Sequence, residues 1–248
     1  MFKDLFSQGS SRYAEFRPRY PGALFALLAA RAPMQRLAWD CATGNGQAAL
    51  GLADHFDSVV ATDASPQQIA QATPHPRVTY RVAPAESSGL PDGAAGLVTV
   101  AQALHWLDRT AFFPEVLRVL APGGVCAVWC YNLARIRPDI DRLVDDFYSN
   151  VVGPWWHPER ALVEDGYRGI EFPFEELAMP ALSIEKEMTL PALLGYVRTW
   201  SAVRGCQAER GIDPVIDLAV RLAPLWGPPQ TVRPASWPLS IRAGFRPA

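Results

Sequence analysis

Two acids and a pair of glycines carry the most specific chemistry in this sequence. An apolar run, Leu37 to Cys41, leads into Asp40-Cys41-Ala42-Thr43-Gly44-Asn45-Gly46. Glycine permits a tight turn and a close approach of backbone to a ligand. A helix opening behind such a turn aims unpaired N–H groups at whatever occupies it. A second apolar run, Ser58 to Thr62, closes on Asp63, which lies 17 residues past Gly46. An ionised carboxylate at that strand end can accept from both hydroxyls of a ribose. Further on, Gln102-Ala103-Leu104-His105-Trp106 follows a third apolar run. There backbone carbonyls can accept from an ammonium, and an imidazole with an ordinary pKa near neutrality is available.

These residues need a scaffold that brings several strand ends together, and the chain between 22 and 131 has the rhythm of one. The pattern predicts helices near 21–31, 47–56, 65–73 and 109–120. It predicts strands at 37–41, 58–62, 78–82, 96–101 and 125–131, with Pro122-Gly123-Gly124 as a sharp turn. Ser65 and Pro66 form a helix-start signal, a capping hydroxyl followed by proline at the first position. Strands alternating with helices imply βαβ crossovers of one hand. The expected fold is therefore α/β, a doubly wound, mostly parallel, Rossmann-like sheet that binds ligands at the carboxyl ends of its strands. Residues 133–225 are mainly helix-like and rich in Trp and Pro, with one strand expected within 172–189 and a last one at 231–242. The expected organisation is a cofactor-binding core over 1–132, a helical lid insertion over 133–225 that contributes one strand, and a segment over 226–248 that completes a seven-stranded sheet.

The glycine turn alone leaves the ligand open, since Gly44 to Ala49 also satisfies the dinucleotide pattern G-x-G-x-x-A. Asp40 discriminates. A carboxylate at the mouth of the first strand repels a pyrophosphate and favours a ligand with an ammonium and a sulfonium, as in S-adenosylmethionine, through direct or water-mediated contact. The readings that stay open are a methyl-transfer enzyme, a non-catalytic protein that binds the same cofactor, and a nicotinamide-dependent oxidoreductase.

The ordered set of motifs resembles the class I S-adenosylmethionine-dependent methyltransferases. Within them it is similar to the type 11 subgroup, which includes trans-aconitate-methyltransferase-like and embryonic-abundant-like proteins. The resemblance rests on Tyr13 to Pro21 (Tyr-Ala-Glu-Phe-Arg-Pro-Arg-Tyr-Pro), Asp40 to Gly46 with Ala42 where the family has glycine, and Thr62 to Ser65. It continues through Ala85-Glu86, Ala101 to Trp106, and Arg118 to Gly124, and Tyr196 to Ser201 extends it into the second half. It implies that Tyr13 and Arg17 fold over the amino-acid end of the cofactor, a guanidinium forking onto its carboxylate. It further implies that Asp40, Ala42, Gly44, Asn45, Gly46, Asp63 and Ala64 form the floor and ribose site. Ala85 and Glu86 would line the adenine pocket, and Gln102 and Ala103 would meet the ammonium. Many relatives place an acid just before the Ala-Glu pair; here that position is Pro84, so the adenine amino contact falls to Glu86 or a backbone carbonyl.

The reaction implied is in-line displacement that moves a methyl group to a small-molecule acceptor, a carboxylate being one candidate. Tyr20, His105 and Trp106 are the candidate acceptor-binding residues. His105 could act as a base, as a hydrogen-bond donor to the acceptor, or structurally. Trp155, Trp156, His157, Tyr196 and Trp200 could wall an acceptor pocket or form the lid's own core, the core being preferred for most of them.

Composition narrows the partners. A net charge of −2 without basic clusters gives no footprint for nucleic acid or an anionic membrane. The apolar stretch Ala23 to Ala30 is too short to span a bilayer and is followed by no cleavage signal. Cys41, Cys126, Cys130 and Cys206 read as buried free thiols in a reducing compartment, so the expected location is cytoplasmic. The scattered His residues lack metal-ligand spacing, and no metal is expected.

Overall fold

The computed structural model describes residues 18–247. Five parallel strands form its centre: β1 (Leu37–Cys41), β2 (Ser58–Asp63), β3 (Val78–Val82), β4 (Ala95–Ala101) and β5 (Leu120–Tyr131). They stand in the order β3-β2-β1-β4-β5. The chain leaves β1 toward β2 on one side and returns to β4 on the other, so a crevice opens at the carboxyl ends of β1 and β4. A long C-terminal strand, β8 (Arg233–Phe245), adds antiparallel to β5 through Val125 to Tyr131. Its other edge carries β6 (Glu175–Glu176) and β7 (Ser183–Met188) in succession. These two short strands fill one position between them, which is how eight assigned strands occupy a sheet of seven positions.

Strands β1, β2, β4 and β5 bury both faces, and this explains their apolar runs, whereas β3 at the sheet edge is largely exposed. Successive β5 side chains alternate between faces. Val125, Ala127 and Trp129 join one core with helices α1 (Gly22–Ala29) and α2 (Gln47–Ala53). Cys126, Val128 and Cys130 join the opposite core with α4 (Arg109–Val119) and the segment around Tyr167 to Phe174. Between α2 and α4 in the chain, α3 (Pro66–Ala70) starts as its sequence demands: Ser65 caps it by accepting from the Gln68 amide, with Pro66 in the first turn. All four cysteines are buried and free.

A third core lies beyond the sheet. It joins α5 (Pro138–Asp146), α7 (Leu190–Arg198), α8 (Ser201–Arg210) and α9 (Val215–Trp226) to Ile184, Met188 and the first half of β8. A short helix, α6 (Arg160–Glu164), bridges from this layer toward the strand ends.

The predicted strands are present with small differences at their ends. The helices at 47–56 and 65–73 are shorter than expected, ending at Ala53 and Ala70. The turn expected at Pro122–Gly124 lies within the span of β5. Ala95 pairs with Leu120 and Leu97 with Val125, so residues 121–124 bulge out of a strand that starts earlier than its apolar run. Gly123, with φ +70°, permits the bulge.

Candidate functional site

The glycine turn is built on three left-handed residues, Ala42 (φ +53°), Gly44 (φ +58°) and Gly46 (φ +91°). Glycine adopts this conformation freely, whereas alanine does so at a cost of roughly 1–2 kcal/mol. Ala42 therefore holds a strained backbone at the position where the sequence departs from the glycine pattern. At Gly46 a Cβ would come within 2.3 Å of Tyr80 Oη, so the Tyr80 ring closes directly over the turn.

Asp63 and Asp40 divide the labour beneath it. Asp63 ends β2 half-buried, and its carboxylate accepts from the Gly44 amide at 2.9 Å and the Ser65 amide at 2.8 Å. Those two bonds tie the turn after β1 to the turn after β2 and fix the plane of the carboxylate. Ala64, beside it, is half-buried. Asp40, expected to face the ligand, forms no part of the cleft surface: it is fully buried. Thr43 Oγ1 donates to one oxygen at 2.5 Å and Thr99 Oγ1 to the other at 2.7 Å. Burial pushes its carboxyl up to about 6, against those two bonds and the Ala49 amide, which favour the anion. Asp40 thus ties β1 to β4 and holds the turn from below.

Ala85 packs on the core beside β4, while Glu86 is exposed. Their loop is secured two residues on. The Ser88 amide and hydroxyl both donate to Glu115 Oε1, at 2.8 and 2.6 Å, and Arg118 forks onto the same carboxylate.

Gln102 is the pivot between the two halves of the site. Its backbone is left-handed (φ +57°), and its N–H donates to the Trp129 carbonyl at 2.8 Å. Its side-chain amide then donates to the Tyr131 carbonyl and accepts from the Tyr131 N–H, both at 2.9 Å. The side chain pairs with β5 as a strand backbone would, so the end of β4 turns away while still bonded to its neighbour. Ala103 follows, half-buried, and Leu104–Trp106 form a single 3-10 turn.

Gln102, His105 and Trp106 open onto a cavity that encloses about 650 Å³, its solvent-facing mouth included. Trp156, His157, Tyr196 and Trp200 line it from the helical layer, with Tyr131 and Asn132 from the end of β5. Of these, Trp156, Tyr196 and Trp200 are at once part of the helical core and cavity wall, whereas His157 belongs to the wall alone. Trp155 does not line the cavity; it packs against the helical core, donating to Glu209 and lying under Arg210. Tyr20 is not among the lining residues; it stands edge-on to Trp129 and Tyr131, directly behind the wall. Tyr13 and Arg17 lie outside the described residues.

Two residues that the sequence reading did not single out complete the site, Arg160 in the cavity wall and Tyr167 behind His105. Arg160 lies over the rings of Tyr148 and Trp156, donates from Nε to Tyr148 Oη at 2.8 Å, and donates from Nη2 to Asn132. Tyr148 in turn donates from its hydroxyl to the Glu164 carboxylate. No carboxylate among the described residues lies within ion-pair distance of Arg160. Tyr167, fully buried, meets His105 Nδ1 with its hydroxyl at 2.9 Å. Burial pushes the His105 imidazole down to about 3, with Arg160 adding to the effect. An arginine three residues beyond Trp156-His157 was visible in the sequence, but nothing local marked it as facing the strand ends.

Among the described residues no group of three His, Cys, Asp or Glu side chains could hold a metal ion, and no helix is long and apolar enough to cross a membrane.

A doubly wound sheet with an antiparallel final strand, a glycine turn braced by acids, and a cavity at the end of β4 define the class I methyltransferase architecture. Comparison agrees. A methyltransferase-domain family model matches residues 39–128. A protein of Dictyostelium discoideum, named a methyltransferase, is 34% identical over 204 residues, covering 81% of this chain and 78% of that protein. A type II methyltransferase structure from Anaeromyxobacter dehalogenans superposes with a TM-score of 0.89 at 47% identity, over 93% of this chain and 98% of that one. A Haemonchus contortus phosphoethanolamine N-methyltransferase, solved with S-adenosylhomocysteine, shares the fold alone, with a TM-score of 0.50 and 16% identity over 98% of this chain and 58% of that one. The chain belongs to the class I S-adenosylmethionine-dependent methyltransferases, and it is an enzyme of that family rather than a nicotinamide-dependent oxidoreductase.

Proposed function

We propose that this methyltransferase takes S-adenosylmethionine into the crevice between β1 and β4 and alkylates a small organic acid in the adjoining cavity. The residues present fit the cofactor. The turn of Ala42, Gly44, Asn45 and Gly46 offers bare backbone, and a Cβ at Gly44 would meet nothing nearer than Gln68 Oε1 at 3.8 Å. Asp63, oriented by two amides, would accept from the ribose, with Ala64 beside it. Ala85 and Glu86 would flank the adenine, and the carbonyls of Gln102 and Ala103 would meet the ammonium, with Tyr13 and Arg17 at the carboxylate. When bound, the cofactor supplies an electrophilic methyl group on a positively charged sulfur.

One observation carries the choice of acceptor: Arg160 lines the cavity with no carboxylate among the described residues paired to it. A guanidinium clamped by two aromatic rings and two hydrogen bonds is preorganised to fork onto a carboxylate. The Trp106, Trp156 and Trp200 faces would then cover the apolar remainder of the acid. The helices of residues 133–225 serve as a lid that aligns the acceptor and excludes water.

Calorimetric titration with S-adenosylmethionine, S-adenosylhomocysteine and NAD tests the cofactor site. The first two bind and NAD does not, and Asp63→Ala weakens both. Binding of NAD alone would refute the reading. For the acceptor, methyl transfer is measured across small acids and their neutral amides. Acids are preferred, and Arg160→Gln raises KM for them more than it lowers kcat; equal use of the amides would overturn the acid assignment.

A further inference from the structure

We infer that Tyr167 fixes His105 as a neutral hydrogen-bond donor facing the acceptor cavity, so that no base acts at this position and the acceptor oxygen arrives already ionised. This deepens the acid-acceptor reading and rests on it for the donor's target.

The argument begins with how firmly the phenol is held. Tyr167 is fully buried and has a left-handed backbone (φ +64°), directly after Gly166 at φ +66°. The guanidinium of Arg242 locks that conformation. It donates to the carbonyls of Tyr167 at 2.8 Å and Ile170 at 2.6 Å and lies 4.7 Å from the centre of the Phe172 ring. A backbone in so uncommon a region persists only where its surroundings over-determine it. Here the result is to aim one hydroxyl at one imidazole nitrogen.

The proton inventory follows. Among the described residues His105 Nδ1, 2.9 Å away, is the only hydrogen-bond partner of the Tyr167 hydroxyl. A proton on Nδ1 would leave the fully buried O–H without an acceptor, so the hydroxyl spends its single proton on that nitrogen. A neutral imidazole accepting at Nδ1 carries its proton on Nε2. His105 therefore has a fixed tautomer and a fixed ring plane, between Trp106 with centroids at 4.6 Å and Tyr167 at 6.0 Å. Its residual exposure, 7%, is toward the cavity it lines.

Burial first, and then the charges around it, keep the ring neutral. Arg160 from α6, Arg109 from the start of α4 and His157 all oppose an imidazolium, and Glu159 alone favours one. Glu159 is itself engaged by His157. A ring in these surroundings is too weak a base to remove a proton near neutral pH, whereas its Nε2–H is a good donor in a desolvated site. An acceptor that needs deprotonation finds no partner here; a carboxylate needs none and gains the donor.

Nitrogen-15 NMR of histidine-labelled protein tests this without any acceptor. The expected result is one His105 signal set with an unprotonated Nδ1 and a protonated Nε2, unchanged between pH 5 and 8. In Tyr167→Phe the two neutral tautomers mix while the ring stays uncharged over the same range. A wild-type His105 that titrates in this range, or carries its proton on Nδ1, overturns the inference. Kinetics give a second arm, since a general base contributes typically ~10²–10⁴-fold. Glutamine places an N–H near the position of Nε2 but cannot act as a base. His105→Gln should lose no more than ~10-fold in kcat while His105→Ala loses well beyond that, because only the donor is needed. Equal, large losses in both variants would refute the donor role. If no acid is methylated at all, the NMR result still stands or falls alone, so failure of the acid-acceptor reading is distinguishable.

Discussion

Gln102→Ala isolates the bond that links the cofactor side of the site to the acceptor side. In the wild type the side-chain amide satisfies both the N–H and the carbonyl of Tyr131, each at 2.9 Å, and Tyr131 is 4% exposed. Truncation leaves both groups without that partner while the Gln102 N–H keeps the Trp129 carbonyl. An unsatisfied buried polar group costs ~1–3 kcal/mol, so two cost ~2–6 kcal/mol. The cavity beside Tyr131 lets water reach the groups, which keeps the cost near ~4 kcal/mol rather than at the upper end, and the truncated chain is relieved of ~1.5–2 kcal/mol of rotamer entropy. The net expectation is a loss of about 2 kcal/mol, or ~4–8 °C in Tm for a chain of this size. Calorimetry on the two proteins measures it. Gln102→Glu sharpens the test, because an ionised carboxylate still accepts from the Tyr131 N–H but sets an oxygen against the Tyr131 carbonyl. The folded-state pKa of that new acid is raised, so its penalty is absent well below the ordinary value of about 4.3 and grows as the pH rises through the raised value. The Gln102→Ala deficit should not change over the same range. A Gln102→Ala protein melting within ~1 °C of wild type, well under the shift worked above, would refute the reasoning.

Ala42→Gly removes ~1–2 kcal/mol of left-handed strain and adds ~0.5–1 kcal/mol of unfolded-chain entropy. A small gain in Tm should follow, and a loss would show that the Ala42 methyl group contributes packing that outweighs the strain. Asp40, buried and raised to about 6, is an acid whose ionised form is disfavoured in the fold. Its penalty is absent below its ordinary value of 3.8, grows through about 6 and is complete above, so Asp40→Asn should gain relative to wild type between pH 4 and 7.5 in urea titrations. Glu115 has the opposite sign. Burial raises its carboxyl, but the bonds from Arg118 and Ser88 outweigh this and hold it at about 2. Its contribution is complete above the ordinary 4.5 and lost as the pH falls toward 2, so the gap between wild type and Glu115→Gln should be widest above pH 5, ~3 kcal/mol at most, and should close in acid.

The scaffold was legible because its signals are local. Leu37 to Cys41 and Val78 to Val82 are strands with the ends their apolar runs suggest, and Ser65-Pro66 starts a helix through a cap that involves only neighbours in sequence. Asp63 could be placed for the same reason, at the end of a run and a short distance from the glycines. The acceptor side was less legible because its contacts span the chain. Arg160 reaches Asn132 across 28 residues, and His105 meets Tyr167 across 62. Asp40 shows the limit in another way. Its type and position read as ligand-facing, but whether a carboxylate at a strand end points into the crevice or into the sheet depends on Thr43 and Thr99, the latter 59 residues away. Even the bulge at residues 121–124 arises from pairing with β4 that Pro122-Gly123-Gly124 does not itself declare.

The long final strand has a consequence for how the molecule is assembled. A nascent chain that has reached residue 232 already contains β1 to β5 and every helix of the third core, yet the outer edge of β5 from Val125 to Tyr131 has no partner until β8 arrives. Until then that edge is a row of unpaired amides and carbonyls flanked by side chains that the finished fold buries, a template for pairing with another chain. The same strand, through Arg233 to Pro238, is also what β7 pairs with. Sheet closure and the seating of β7 therefore wait on the same strand, and the β5 edge stays open to pairing with other chains until that strand is in place.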